Sequence, residues 1–381
     1  MSLFTFDPHS ERIALAHRRL SDIYNRRPGA EIAIVEPGVT GPVPGYTLTE
    51  QLDDLEKMLV QAVSWTNGLG NSDNDWPPMI NTLCGVTQVA EVIGCPLVFD
   101  GDGNLWTQPA ITDIAQVWDL TPMNPREASL TRRLNEWIDY AQRKIGTEVP
   151  FWTMDIQSPF SVAAHVIDGT DLMCACYTDP DAVHHLCRMI TEVTIAIMQD
   201  HIASMEHPGF PGRNFPSISE NVGVCIADDT PLIMLSPEMY EEFGLPYNNM
   251  IAEAFGAVHI HSCGGYMHNL DNLLKTKNLR SIQLHAGPGE FVLPATAEED
   301  HPFNRARTQV ALLVDSNIVS YGDAYRGRAK DHYTDYILPR LHAGPHPHLI
   351  LQSPGVGQDL TDAEAGMRWT RERMTGAAVT K

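Results

Sequence analysis

What this 381-residue chain has little of narrows the reading first. Seven cysteines are too few for a disulfide scaffold. No run of about 18 apolar residues is present, which excludes an ordinary membrane-spanning helix. The opening MSLFTFDPHSERIALAHRRL lacks an apolar stretch behind a basic head, so no export signal is expected. These absences predict a soluble, cytoplasmic protein with reduced thiols. Cys84, Cys95 and Cys225 sit among apolar neighbours and are expected to be buried packing residues. Basic residues are also scarce, 26 against 48 acidic ones for a net charge of -22, and they are scattered. Nucleic acid needs clustered Lys and Arg, so it is excluded as a partner. No short repeat, low-complexity stretch or Gly-rich phosphate loop marks a solenoid, a disordered tract or a dinucleotide fold.

What remains is a chain with 43% hydrophobic and 19% charged residues, the balance of a globular protein with a sizeable core. From about residue 150, short β-rich runs alternate with helical ones. The β-rich runs are FWTMDI, NVGVCIA, AVHIHSC, LRSIQL, QVALLV, NIVSYGD and HLILQSP. Strand-helix alternation on this scale implies parallel β-α units. PPMINTLCG followed by VTQVAEVIG supplies an earlier unit. The pattern predicts an α/β fold, a (β/α)8 TIM barrel over residues 76–381. Residues 1–75 read as helix, Gly/Pro loop and helix, an N-terminal extension or lid. A doubly wound open sheet is the structural competitor.

In a barrel the chemistry sits where strands end in polar residues. AVHIHSCGG ends in His259, His261 and Cys263, spaced two apart, so pleating points them to one face. His261 and Cys263 are two zinc-type ligands, and a catalytic zinc takes three protein ligands with one open position. His285 and Glu290, beyond the next strand, are the candidates for the third, with His259 next. Asp155, Gln157, Asp228, Asp229, Tyr321, Asp323, Gln352 and Ser353 end the other strands. Of the adjacent pair Asp228 and Asp229, at most one is expected to face the pocket. Cys174 and Cys176 are read as packing residues, and the histidines of LHAGPHPHLI as surface residues.

The runs SPFSVAAHVIDG, YTDPDAVHHL, LSPEMYEEFGLPY, HIHSCG and SPGVG resemble, in order and spacing, the motifs of the uroporphyrinogen decarboxylase superfamily, over about residues 77 to 370. The resemblance implies a (β/α)8 barrel and two kinds of activity. One is that of the cofactor-free decarboxylases of porphyrin biosynthesis. The other is that of zinc-dependent methyltransferases, which move methyl groups between corrinoid proteins and thiols. Against the decarboxylases, the pocket tyrosine falls on His165, the serine on Asp229, the C-terminal histidine on Val356 and the essential aspartate near Gly85, and the N-terminal arginine motif has no counterpart. Against the methyltransferases, His261 and Cys263 match the first part of the zinc motif, whereas Val356 stands at the second cysteine.

The expectation is therefore a methyltransferase-like enzyme with zinc at His261, Cys263 and either His285 or Glu290. His165, Asp229, Tyr321 and Gln352 are its candidate catalytic residues. A small-molecule substrate and a corrinoid protein are the expected partners, no membrane is involved, and a homodimer is a candidate assembly. A cofactor-free decarboxylase and a non-catalytic ligand-binding barrel are the alternatives.

Overall fold

A computed structural model describes residues 3–35, 43–82, 87–101, 103–154, 156–209, 223–285, 293–296, 300–315, 336–342, 348–352 and 371–372. Its frame is a seven-stranded sheet, and every pair in it is parallel. In chain order the strands of the structure are β1 (Ala33–Val35), β2 (Leu97–Phe99), β3 (Leu105–Thr107), β4 (Phe151–Trp152), β5 (Ile156–Gln157), β6 (Pro208–Gly209), β7 (Val224–Ala227), β8 (Val258–His261), β9 (Leu279–His285), β10 (Ala311–Asp315) and β11 (Leu349–Gln352). The sheet runs β1-β11-β10-β9-β8-β7-β5. Its two ends are joined by the segment after Asp75. Asp75 N–H donates to the Ile34 carbonyl, and Ile80 makes a parallel bridge to Phe151 of β4, the segment that leads into β5. Seven strands and this bridged segment make the eight positions of a (β/α)8 barrel. The open-sheet alternative is thereby set aside.

Among the described residues the helices are α1 (Glu11–Tyr24), α2 (Leu48–Asp53), α3 (Leu55–Asn71), α4 (Gln88–Ile93), α5 (Ser129–Ile145), α6 (Pro159–Val166), α7 (Gly169–Thr178), α8 (Pro180–Ala203), α9 (Asp229–Met234), α10 (Pro237–Phe243), α11 (Leu245–Phe255), α12 (Leu270–Leu273), α13 (Pro302–Gln309) and α14 (Leu338–His342). Local sequence explains their starts. Asp179 caps α8 by accepting from Ala182 N–H, with Pro180 in the first turn where no donor is needed. Ser158 with Pro159, and Ser236 with Pro237, open α6 and α10 in the same way. The buried stripe of α8 runs through Val183, Leu186, Ile190, Val193 and Ile197, at helical spacing.

Alternation along the strands sorts residues into two cores. Val224, Ile226, Val258, Ile260, Ile282, Leu284, Leu312, Val314, Leu349 and Leu351 face the helices. Cys225, Ala311, Leu313, Ile350, Ala33 and Val35 face inward, where Leu20, Ile23 and Tyr24 of α1 pack against them. The stretch before residue 76 is thus more than a helical extension, since β1 joins the barrel beside β11 and α1 packs on the barrel interior. Its β character escaped the sequence because Ala33–Val35 is only three residues long, too short to show a period.

Two local features set the register at the site. Gly223 has φ +84°, and a Cβ there would lie 2.0 Å from the Ala257 carbonyl oxygen, so only glycine lets β7 start this close to β8. Between β8 and β9 the pairing skips Arg280, and the shift brings His259 opposite Ser281.

Several expectations are settled here. Cys95 and Cys225 are buried, whereas Cys84 lies outside the described residues. Cys174 and Cys176 both fall on α7. Cys176 is buried, as a packing residue should be, but Cys174 is exposed. His348, expected at the surface, is buried because it precedes β11 directly. No helix among the described residues is long and apolar enough to cross a membrane.

His201, in the last turn of α8, is fully enclosed and its Nε2 accepts from Met154 N–H. Burial lowers its pKa from 6.5 to about 4. Between these values the unfolded chain takes up a proton that the folded chain does not, so this stability is complete above pH 6.5 and is lost as pH falls towards 4. The expected loss is about 2 kcal/mol at pH 5 relative to pH 7. Urea midpoints at the two pH values measure it. His201→Gln, whose amide oxygen can still accept from Met154, should flatten the dependence.

Candidate functional site

The inner face of β8 carries His259 and His261, each paired through Nδ1 to the residue opposite it on β9. His259 bonds the Ser281 hydroxyl at 2.5 Å, and His261 bonds Gln283 Oε1 at 2.5 Å. The two imidazoles nevertheless occupy different environments. His259 is fully buried, and the Tyr24 ring meets it edge-on at 4.8 Å. His261 is half-buried one layer higher, at the C-terminal end of its strand.

Cys263 follows the strand and is exposed, with its sulfur 3.1 Å from His261 Nε2. Its backbone N–H donates to Asp229 Oδ1, at the first residue of α9 after β7. Ligand atoms of Asp229, His261 and Cys263 all lie within 4.8 Å of one another. Among the described residues this is the group of three or more His, Cys, Asp or Glu side chains that could hold a metal ion.

The donor set suits zinc, with one nitrogen, one sulfur and one carboxylate oxygen. The hydrogen bonding suits it too. His261 Nδ1 faces Gln283 Oε1, an acceptor, while Nε2 faces the Cys263 sulfur. A metal-binding histidine ordinarily donates its other N–H to a carbonyl or carboxylate in this manner.

Asp228 and Asp229 part company at the start of α9. Asp228 is fully buried and accepts at Oδ2 from Tyr240 O–H at 2.9 Å and from Asn248 amide at 2.7 Å. Its own N–H donates to the His261 carbonyl at 2.8 Å, which ties the end of β8 to the start of α9. Burial raises the Asp228 pKa to about 6, while hydrogen bonds from Ser158, Tyr240 and Asn248 oppose that shift.

The other candidates are placed as follows. His165 is not brought to the cluster. It lies near the far end of α6, about 10 Å of helix from the strand end. Its Nδ1 bonds Thr107 of β3 at 3.3 Å, and burial lowers its pKa. Gln352 ends β11 in register with Val35, three strands away from β8. His285 ends β9 with its backbone in register with Asp315. Tyr321 and Glu290, like Asp155, Asp323, Ser353, Gly85 and Val356, lie outside the described residues. His259 sits one layer too low to join His261, and the group completing the described cluster is Asp229, which sequence matching had placed on a serine of the decarboxylases.

Gln283 was missed altogether, although the alternation Ser281, Gln283 against Ile282, Leu284 marks a polar inner face.

Residues 79–204 match the model of the family described as uroporphyrinogen decarboxylase (URO-D). No curated protein matches the chain. Among solved structures, a methyltransferase from Methanosarcina mazei is 15% identical with a TM-score of 0.63, covering 95% of this chain and 98% of its own. The putative vitamin-B12 independent methionine synthase from Listeria monocytogenes is 12% identical with a TM-score of 0.40, covering 92% of this chain and 99% of its own.

Removing the Tyr240 hydroxyl tests the support under the site. Tyr240→Phe leaves the enclosed Asp228 carboxylate one donor short and should cost about 1–3 kcal/mol in urea unfolding.

Proposed function

We propose that this chain, a (β/α)8 barrel carrying a uroporphyrinogen decarboxylase family domain over residues 79–204, is a metal-dependent, methyltransferase-like enzyme acting at Asp229, His261 and Cys263. The observation that carries the reading is the meeting of these three donors, from two adjacent strand ends, within 4.8 Å of one another. Three protein ligands leave a fourth position for a substrate atom. Zinc held there would supply the Lewis acidity that keeps a thiol acceptor ionised at neutral pH.

The chain's own groups do the rest. His261 contributes Nε2, Cys263 a sulfur on the exposed side, and Asp229 a carboxylate oxygen that compensates for the absent second cysteine. One thiolate and one carboxylate carry the same total charge as two thiolates, so the substitution keeps the site's electrostatic balance while making it harder and less thiophilic. Asp228, buried beside Tyr240 and Asn248, holds the end of β8 through its N–H to the His261 carbonyl. The methyl group would pass between a small-molecule or corrinoid carrier and a thiol. The likeness in fold to the Methanosarcina mazei methyltransferase is compatible with this reading, and the chemistry rests on the donor set.

Metal content is the direct test. Protein loaded with Zn2+ and dialysed should retain about one equivalent. Cys263→Ser and Asp229→Ala should lose it, and Cys174→Ser, at an exposed position of α7, should not. With methylcobalamin as the donor probe and a free thiol as acceptor, demethylation should require the loaded site and vanish in Cys263→Ser. Equal, negligible zinc in all four proteins would overturn the reading.

The decarboxylase alternative has its own assay. Because the arginine motif for substrate carboxylates has no counterpart and His165 is held by Thr107, uroporphyrinogen should yield no coproporphyrinogen. Robust turnover would reinstate it.

A further inference from the structure

We infer that Gln283 is a positioning residue that locks His261 in the Nδ1-protonated form, so that the Nε2 lone pair is presented to the Cys263 and Asp229 side before any metal arrives. The final step, from tautomer to metal affinity, rests on the proposed function. The tautomer itself does not.

The argument is one of donors and acceptors. His261 Nδ1 lies 2.5 Å from Gln283 Oε1, an atom with no hydrogen to give. If Nδ1 were the unprotonated nitrogen, two lone pairs would face each other at hydrogen-bond distance. The neutral ring therefore carries its proton on Nδ1. Nε2 then accepts from the Cys263 S–H at 3.1 Å, and the Cys263 backbone N–H in turn donates to Asp229. Every polar contact in this short chain then has one donor and one acceptor.

Gln283 is well placed to enforce this arrangement. It is 6% exposed, on a strand flanked on both sides. The fully buried Tyr266 hydroxyl donates to the Gln283 backbone carbonyl at 2.5 Å and so fixes the strand at this residue. The register partner of Gln283 on β10 is Leu313, an inward apolar residue. The skipped pairing at Arg280 is what sets Gln283 opposite His261.

The layer below supplies an internal contrast. His259 meets Ser281 through the same ring nitrogen, yet a hydroxyl both donates and accepts and so imposes no tautomer. The two pairs look alike in geometry and differ in consequence.

The test uses metal-free full-length protein with 15N-labelled histidine. Long-range 1H–15N spectra should show His261 protonated at Nδ1 in the wild type. The same form should persist in Gln283→Glu, whose carboxylate also accepts from Nδ1–H, and Nε2-protonated ring should emerge in Gln283→Leu. Zn2+ competition titrations should then show affinity reduced about 10- to 100-fold in Gln283→Leu and retained in Gln283→Glu. A purely packing role predicts the opposite order, because Leu suits an enclosed position better than a carboxylate does. Ser281→Ala should leave Zn2+ affinity unchanged.

An Nε2-protonated His261 in the wild type overturns the inference, as does a Gln283→Leu protein with unaltered tautomer and unaltered affinity. A wild type that takes up no Zn2+ while the tautomer responds as expected would remove the metal reading and leave the positioning role standing.

Discussion

The site depends on one constraint, the parallel register of β7, β8 and β9. A strand has a period of two, so a slip of one residue would turn its entire inner set outward. In the observed register Cys225 and Ala227 lie beside His259 and His261, and these lie beside Ser281 and Gln283. Polar residues are thereby stacked inside, and valines, isoleucines and leucines face the helices. The irregular pairing at Arg280 and the close approach allowed by Gly223 adjust this register locally. Bulges recur beside active sites because they re-aim side chains without breaking the sheet.

From that register follows a gradient along the barrel axis. At one end α1 packs Leu20, Ile23 and Tyr24 against the inner core, and His259 is enclosed there with Ser281 and the Tyr24 ring. One layer up, His261 is half-buried, and beyond it Cys263 is exposed. Two histidines of one strand thus play different parts, one filling a closed interior and the other presented at a rim. Strand ends at this rim are where barrel chemistry is generally found.

The two aspartates after β7 show how burial divides adjacent, identical side chains. Asp228 is turned under α10 and α11, where Tyr240 and Asn248 satisfy one of its oxygens. Asp229 stays near the Cys263 backbone and within reach of the donor cluster. The first ties β8 to α9 through its N–H to the His261 carbonyl, and the second is one of the three clustered donors.

Much of this was legible in the residues alone. Alternating runs such as VHIH and LRSIQLH, separated by helical stretches, reveal parallel strands and their polar inner face, because hydrophobic periodicity is a local property. The same-face spacing of His261 and Cys263 is local too. Tertiary structure decided what is not local. It placed β1 beside β11, put His165 with Thr107, held His259 one layer below the rim, and brought Asp229 to Cys263 across 34 residues. It also set Gln283 against His261, 22 residues apart in the chain. Sequence spacing specifies which residues share a face of one element. Which elements lie side by side, and at what register, is settled by the packing of the whole barrel, and the donor set of the site depends on that packing.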